Sequence, residues 1–190
     1  MLVITGTGRS GTGYMSKLLT AVGVECGHEQ VYTPHGVAKK DVPAESSWCA
    51  VPHLQSPSVV IIRHPLKVVK SWLELGIFLT RSEWGEFVKR YSPMVYTYKR
   101  PEDRALARWL YWNMYATSKA DLVIRLEDMN LENLNRILKL GGFNAVDKLP
   151  ELGRINKKTN YKKHTWDGDW TDFDPNLARA AQEFARQWGY

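Results

Sequence analysis

The chain has 190 residues, 44% hydrophobic and 24% charged, which suits one globular domain (1–190) with a sizeable core. Its 26 Lys and Arg against 20 Asp and Glu leave +6 at pH 7, a balance that attracts anions: a nucleotide, a sulfated sugar, an acidic peptide or nucleic acid. No apolar stretch approaches the roughly 20 residues of a membrane helix, and the start, MLVITGTG, has no basic segment followed by a long apolar run. A cytoplasmic chain with no membrane partner is therefore expected, with Cys26 and Cys49 outside any disulfide framework. No Cys or His pair has zinc-site spacing, so no metal is expected.

Residues 2–5 form a short apolar run that ends at a glycine cluster, and the spacing of Tyr14, Leu18 and Val22, with Met15 and Leu19 beside them, predicts a helix over 14–22. The β-branched run SVVII at 58–62 predicts a buried strand. Pro65 then stands at a favoured first helical position. The segment after it sets Leu66, Val69 and Leu73 on one face and Lys67, Lys70, Ser71 and Glu74 on the other. Further helices are predicted near 102–118, 130–140 and 175–188, the second closed by Gly141 and Gly142 and the third opened by Asp174-Pro175. LVIRL at 122–126 is a third strand candidate, and 30–57, 78–100 and 152–173 read as irregular or mixed stretches that form the walls of the site. Strands alternating with helices predict an α/β fold with a central, mostly parallel sheet flanked by helices, and ligands at the carboxyl ends of its strands. Trp109, Trp112 and Tyr115 read as core.

The run GTGRSGTGY at 6–14 lies between strand and helix, where a glycine-rich backbone can turn several N–H groups on one anion beside the positive end of a helix. Gly6 and Gly11 have the spacing of a triphosphatase loop. However, Thr12 stands at the position of its lysine, and Gly13 at that of its magnesium-binding hydroxyl. Arg9 supplies a cation inside the loop. A second set follows the strand 58–62: Arg63, able to grip a phosphate with two hydrogen bonds, and Ser71 eight residues on. In VECGHE at 24–29, Glu29 and His28, with Glu25 nearby, are candidate proton acceptors.

These motifs resemble those of the sulfotransferases that use 3′-phosphoadenylyl sulfate (PAPS). RSGTGYMSKLL at 9–19 is similar to the family's 5′-phosphosulfate loop. The resemblance implies that Arg9 contacts the bridging oxygen and the sulfonate, while Ser10, Gly11, Thr12 and Gly13 hold the 5′-phosphate; many members have a second Thr where this chain has Gly13. RHPLKVVKS at 63–71 resembles the 3′-phosphate motif, which implies that Arg63 and Ser71 bind that group. VECGHE resembles the Cys-Gly-Glu-Glu segment of tyrosylprotein sulfotransferases, which implies Glu29 as base; the cytosolic branch uses a histidine base, which keeps His28 as the rival. KKHTWDGDW at 162–170 resembles a segment that closes over the donor, implying Lys162 and Lys163 as 3′-phosphate contacts and Trp166 or Trp170 over the adenine. LVIRLEDM at 122–129 resembles a scaffold strand.

The resemblance implies a phosphate-loop sulfotransferase fold and metal-independent transfer of sulfonate from PAPS to a hydroxyl or amine of a small molecule, carbohydrate or peptide tyrosine. Adenosine 3′,5′-bisphosphate (PAP) is the product, and nucleic acid is disfavoured as a partner. The Tyr-rich stretch 91–98 with Lys99 and Arg100 is a candidate acceptor wall. Two alternatives stand beside it. A P-loop kinase would need a lysine at 12 or a compensating one, and an acidic residue ending a core strand, where this chain has Arg63. A polyanion or nucleic-acid binder accounts for the charge but not for two phosphate motifs at strand ends. The acceptor, the choice of base, the adenine-stacking residue and the oligomeric state stay open.

Overall fold

In chain order the elements are β1 (Leu2–Thr5), α1 (Thr12–Ala21), β2 (Cys26–His28), β3 (Tyr32–Thr33), β4 (Gly36–Val37), β5 (Ala44–Ser46), β6 (Ser58–Ile62), α2 (Pro65–Leu75), α3 (Glu83–Tyr91), α4 (Pro101–Thr117), β7 (Leu122–Arg125), α5 (Leu131–Leu140) and α6 (Pro175–Gln187), with short 3-10 turns between some of them. This computed structural model describes residues 1–76, 82–153 and 166–190. They group into two units: Met1–Ile62 with the described part of Tyr115–Lys157, and Arg63–Met114 with the described part of Lys158–Tyr190.

The first unit is built on a five-stranded sheet of order β2-β5-β1-β6-β7 in which every pairing is parallel. The register sets Ile4 against Ser46 on one side and Val59 on the other, and His28 against Ser46. The fold is therefore α/β, as the alternation of strands and helices predicts. Strand order reverses about β1, and all carboxyl ends lie along one edge, where a doubly wound sheet opens a crevice for ligands.

The fully buried β1 and β6 are continuous apolar runs because a parallel strand is covered on both faces. On one face Leu2, Ile4, Val59, Ile61 and Ile124 join Met15, Leu18 and Leu19 of α1 and Leu134, Ile137 and Leu138 of α5 in one core cluster. α5 is opened by the Asn130 side chain, which accepts from the Asn133 amide, and is followed by left-handed Gly142 (φ 74°). Cys26 and Cys49 are free and buried.

The second unit is helical and aromatic. Pro65 is the first residue of α2, and Asp174 caps α6 by accepting from the amides of Asn176 and Leu177. The Asp174 amide in turn donates to Asp103 Oδ1 at 2.8 Å, tying α6 to α4. Arg108, 2% exposed, lies 4.3 Å from the Trp72 ring and 5.2 Å from the Trp112 ring, so its buried charge meets two aromatic faces. Among the described residues no helix is long and apolar enough to cross a membrane.

Two expectations are corrected, at α1 and at Tyr115, and the mixed stretches are resolved into elements. Helix α1 starts at Thr12 rather than 14, inside the glycine motif, because Gly11 turns left-handed (φ 104°) and its carbonyl takes the first helical bond from Met15. The stretch 30–57 holds β3, β4 and β5, and 82–100 holds α3, opened by Ser82, whose hydroxyl accepts from the Gly85 amide. Tyr115 is 43% exposed rather than core: it faces Lys119, whose ammonium lies 4.4 Å from its ring centre and donates to its hydroxyl, whereas Trp109 and Trp112 are buried.

Candidate functional site

β1 delivers the chain at Gly6, between the ends of β5 and β6. A Cβ at Gly6 would overlap the carbonyl oxygen of Ile61, so only glycine fits beside β6. The Ser10 amide donates to the Thr7 carbonyl at 3.0 Å, and left-handed Arg9 (φ 70°) and Gly11 curl the loop before α1 begins. Gly11 lies against Leu126, just past β7: a Cβ there would stand 2.8 Å from Leu126 Cδ1. The scaffold strand thus also shapes the loop. Ser10 is fully buried, and its hydroxyl has no hydrogen-bond partner among the described residues. An orphan hydroxyl inside a curled loop at a helix N-terminus suits an anion that accepts hydrogen bonds.

The carboxyl ends of β2 and β5 bring the candidate bases to the same edge. His28 Nδ1 donates to the carbonyl oxygen of Ser46 at 2.7 Å, and a carbonyl only accepts, so Nδ1 carries the proton. The ring's other nitrogen, Nε2, lies 3.2 Å from where a Gly13 Cβ would stand and 3.9 Å from Glu29 Oε1. Ser46 also anchors α1, its hydroxyl donating to the Thr12 carbonyl at 2.8 Å. The loop, His28 and Glu29 are therefore assembled within one unit, whereas Glu25 is exposed.

Glu29 holds a left-handed backbone (φ 56°). Its carboxyl is pushed above the usual range, chiefly by burial; the His28 ring and a hydrogen bond with Trp48 pull it down, and Glu45 pushes it further up. Glu45 is fully buried on β5. Its Oε1 accepts from the amides of Gln30 at 2.7 Å and Val31 at 3.1 Å, clamping the turn that carries Glu29. A Cβ at Gly27 would overlap Glu45 Oε2, which explains the glycine before His28. Burial, reinforced by Glu45, pushes the Cys26 thiol up to about 12, so it stays protonated and is no nucleophile at neutral pH. Glu45 and Ser46 are the site residues that sequence reasoning passes over. The one available signal was the polar run Glu45-Ser46-Ser47 before the apolar turn at Trp48, too weak to select them.

The remaining candidates belong to the second unit. Arg63 follows β6 directly, and its carbonyl accepts from Trp109 Nε1 at 2.9 Å. Ser71 is only 9% exposed and lies on the buried side of α2 with Val68 and Trp72. This corrects its expected place on the polar face with Lys67 and Lys70. The ammonium of Lys70 pairs with Asp167. Trp166 and Trp170 are half-buried, with ring centres 5.6 and 6.2 Å from that of Phe173. Lys162 and Lys163 lie outside the described residues. No family model and no curated protein matches the chain.

Proposed function

We propose that this chain is a sulfotransferase that takes a sulfonate from PAPS and gives it to a hydroxyl or amine acceptor. The observation that carries the reading is backbone strain. Arg9 and Glu29 are the two non-glycine residues with left-handed φ among the described residues, at 70° and 56°. Such a conformation costs about 1–3 kcal/mol per residue and gathers at functional sites. Here it falls on the two residues that the motifs nominate as loop cation and base. The orphan Ser10 hydroxyl in the same loop supports an anionic ligand, and Thr12 and Gly13 leave the loop without the lysine and magnesium-binding hydroxyl of a triphosphatase.

In this reading the acceptor oxygen attacks sulfur in line. Its bond to sulfur forms as the bond from sulfur to the bridging phosphate oxygen breaks, and the acceptor's proton passes to the Glu29 carboxylate. Negative charge gathers on the departing PAP, where Arg9, the Ser10 hydroxyl and the amides of Gly11, Thr12 and Gly13 stabilise it. Arg63 and Ser71 are assigned the 3′-phosphate, which separates this donor from ATP. Lys162 and Lys163 are assigned to the same group. Sulfonate carries less charge than a terminal phosphate, so the step is assigned to the protein without a metal.

The test is calorimetric titration with PAP, ADP and Mg-ATP, on wild type and Arg63→Ala, with EDTA present in the PAP runs. Preference for PAP that is lost in Arg63→Ala supports the assignment. Preference for Mg-ATP overturns it in favour of a kinase. No nucleotide binding, with a salt-sensitive shift of an oligonucleotide, overturns it in favour of a polyanion binder.

A further inference from the structure

The geometry points to His28 as a cationic contact for the 5′-phosphosulfate, standing in for the hydroxyl that Gly13 lacks and taking up a proton when the donor binds. This rests on the donor proposed above. The two places where the chain departs from the sulfotransferase pattern, Gly13 and His28, face each other. A Cβ on Gly13 would stand 3.2 Å from His28 Nε2, so a threonine there would press on the ring. The side chain that lies against the first turn of α1 belongs to His28, half in solvent at 41% exposure.

The ring's proton chemistry follows from its partners. Nδ1 is committed to the Ser46 carbonyl, so in the neutral ring Nε2 is bare and can only accept. To donate to a phosphate oxygen, Nε2 must gain a proton. The charged groups that face the ring are the amide end of α1, Glu29 Oε1 at 3.9 Å from Nε2 and, next to Ser46 on β5, Glu45, whose Oε1 accepts two backbone amides. A doubly charged phosphosulfate, or the 5′-phosphate of PAP, over the first turn of α1 stabilises the imidazolium, so binding and protonation are coupled. The imidazolium then donates to Ser46 through Nδ1 and to the anion through Nε2, leaving Glu29 to receive the acceptor's proton.

The test is PAP titration near neutral pH in two buffers of different ionisation enthalpy, which reads net proton uptake directly. His28→Asn keeps a donor for the Ser46 carbonyl but loses Nε2. His28→Gln offers a neutral donor. Wild type should take up a proton on binding, both His28 variants should not, and Glu29→Gln should still do so. Affinity in wild type should fall about tenfold as the imidazole deprotonates and stay flat with pH in His28→Gln. Equal uptake in wild type and the His28 variants, or uptake lost only in Glu29→Gln, overturns the inference while leaving the donor assignment standing. Failure of wild type to bind PAP at all removes the donor assignment instead.

Discussion

The carbonyl oxygen of Ser46 accepts the Nδ1 proton of His28 at 2.7 Å, and this bond alone determines which ring nitrogen faces the loop. The Ser46 side chain serves a different partner, the Thr12 carbonyl at 2.8 Å. The two roles can therefore be separated. In Ser46→Ala the backbone bond to His28 remains and only the helix anchor is lost. Urea unfolding should show a loss of about 1 kcal/mol, and proton uptake on PAP binding should persist.

Ser10→Ala should behave in the opposite sense. Its buried hydroxyl has no partner among the described residues, so its removal should leave the melting temperature of the free protein unchanged or slightly raised. PAP affinity should fall about tenfold, the value of one hydrogen bond to a charged group. A melting temperature that drops with unchanged affinity would show that the hydroxyl supports the fold and not a ligand.

Glu29 links the site to pH. Burial, reinforced by Glu45, raises its carboxyl above the ordinary value, so the folded protein holds this proton more tightly than the unfolded chain. Its contribution to stability is complete below the ordinary carboxylate range and is lost as pH rises through the raised value. Glu29→Gln should therefore be more stable than wild type at neutral pH, with the gap closing in acid, as read by urea unfolding across pH. Sulfonate transfer should show the reverse trend, its acid limb lying above the ordinary carboxylate range in wild type.

Much of this arrangement was legible in the residues. β1 and β6 announce themselves as short β-branched runs, and Asp174-Pro175 opens α6 where the capping rules place it. β2 and β5 did not, because CGH and AES carry no alternation and become strands only by pairing in parallel with each other and with β1. Glu45 and Ser46 were hidden for the same reason: a glutamate next to a serine reads as surface until the sheet closes over it. Ser71 shows the limit of helical periodicity, since its side of α2 is covered by packing that the pattern of lysines does not report.

Arg9 separates backbone strain from charge. Glycine adopts φ 70° without penalty, whereas alanine keeps the strain, so Arg9→Gly should be more stable than Arg9→Ala by about 1 kcal/mol in urea unfolding. Both should lose PAP affinity alike, since both lose the guanidinium. Equal stability of the two variants would mean that the loop relaxes once the arginine is gone.

The glycine at position 6 has a consequence for how the protein comes into being. Its neighbour across the sheet is the carbonyl of Ile61, and β1 pairs only with segments made long after it. During synthesis the loop therefore has no wall to curl against until β6 has left the ribosome, and such distant parallel pairings are slow to form. Under the proposed function, a nucleotide would meet only the completed sheet and would draw the last equilibrium toward the folded side as its concentration rises.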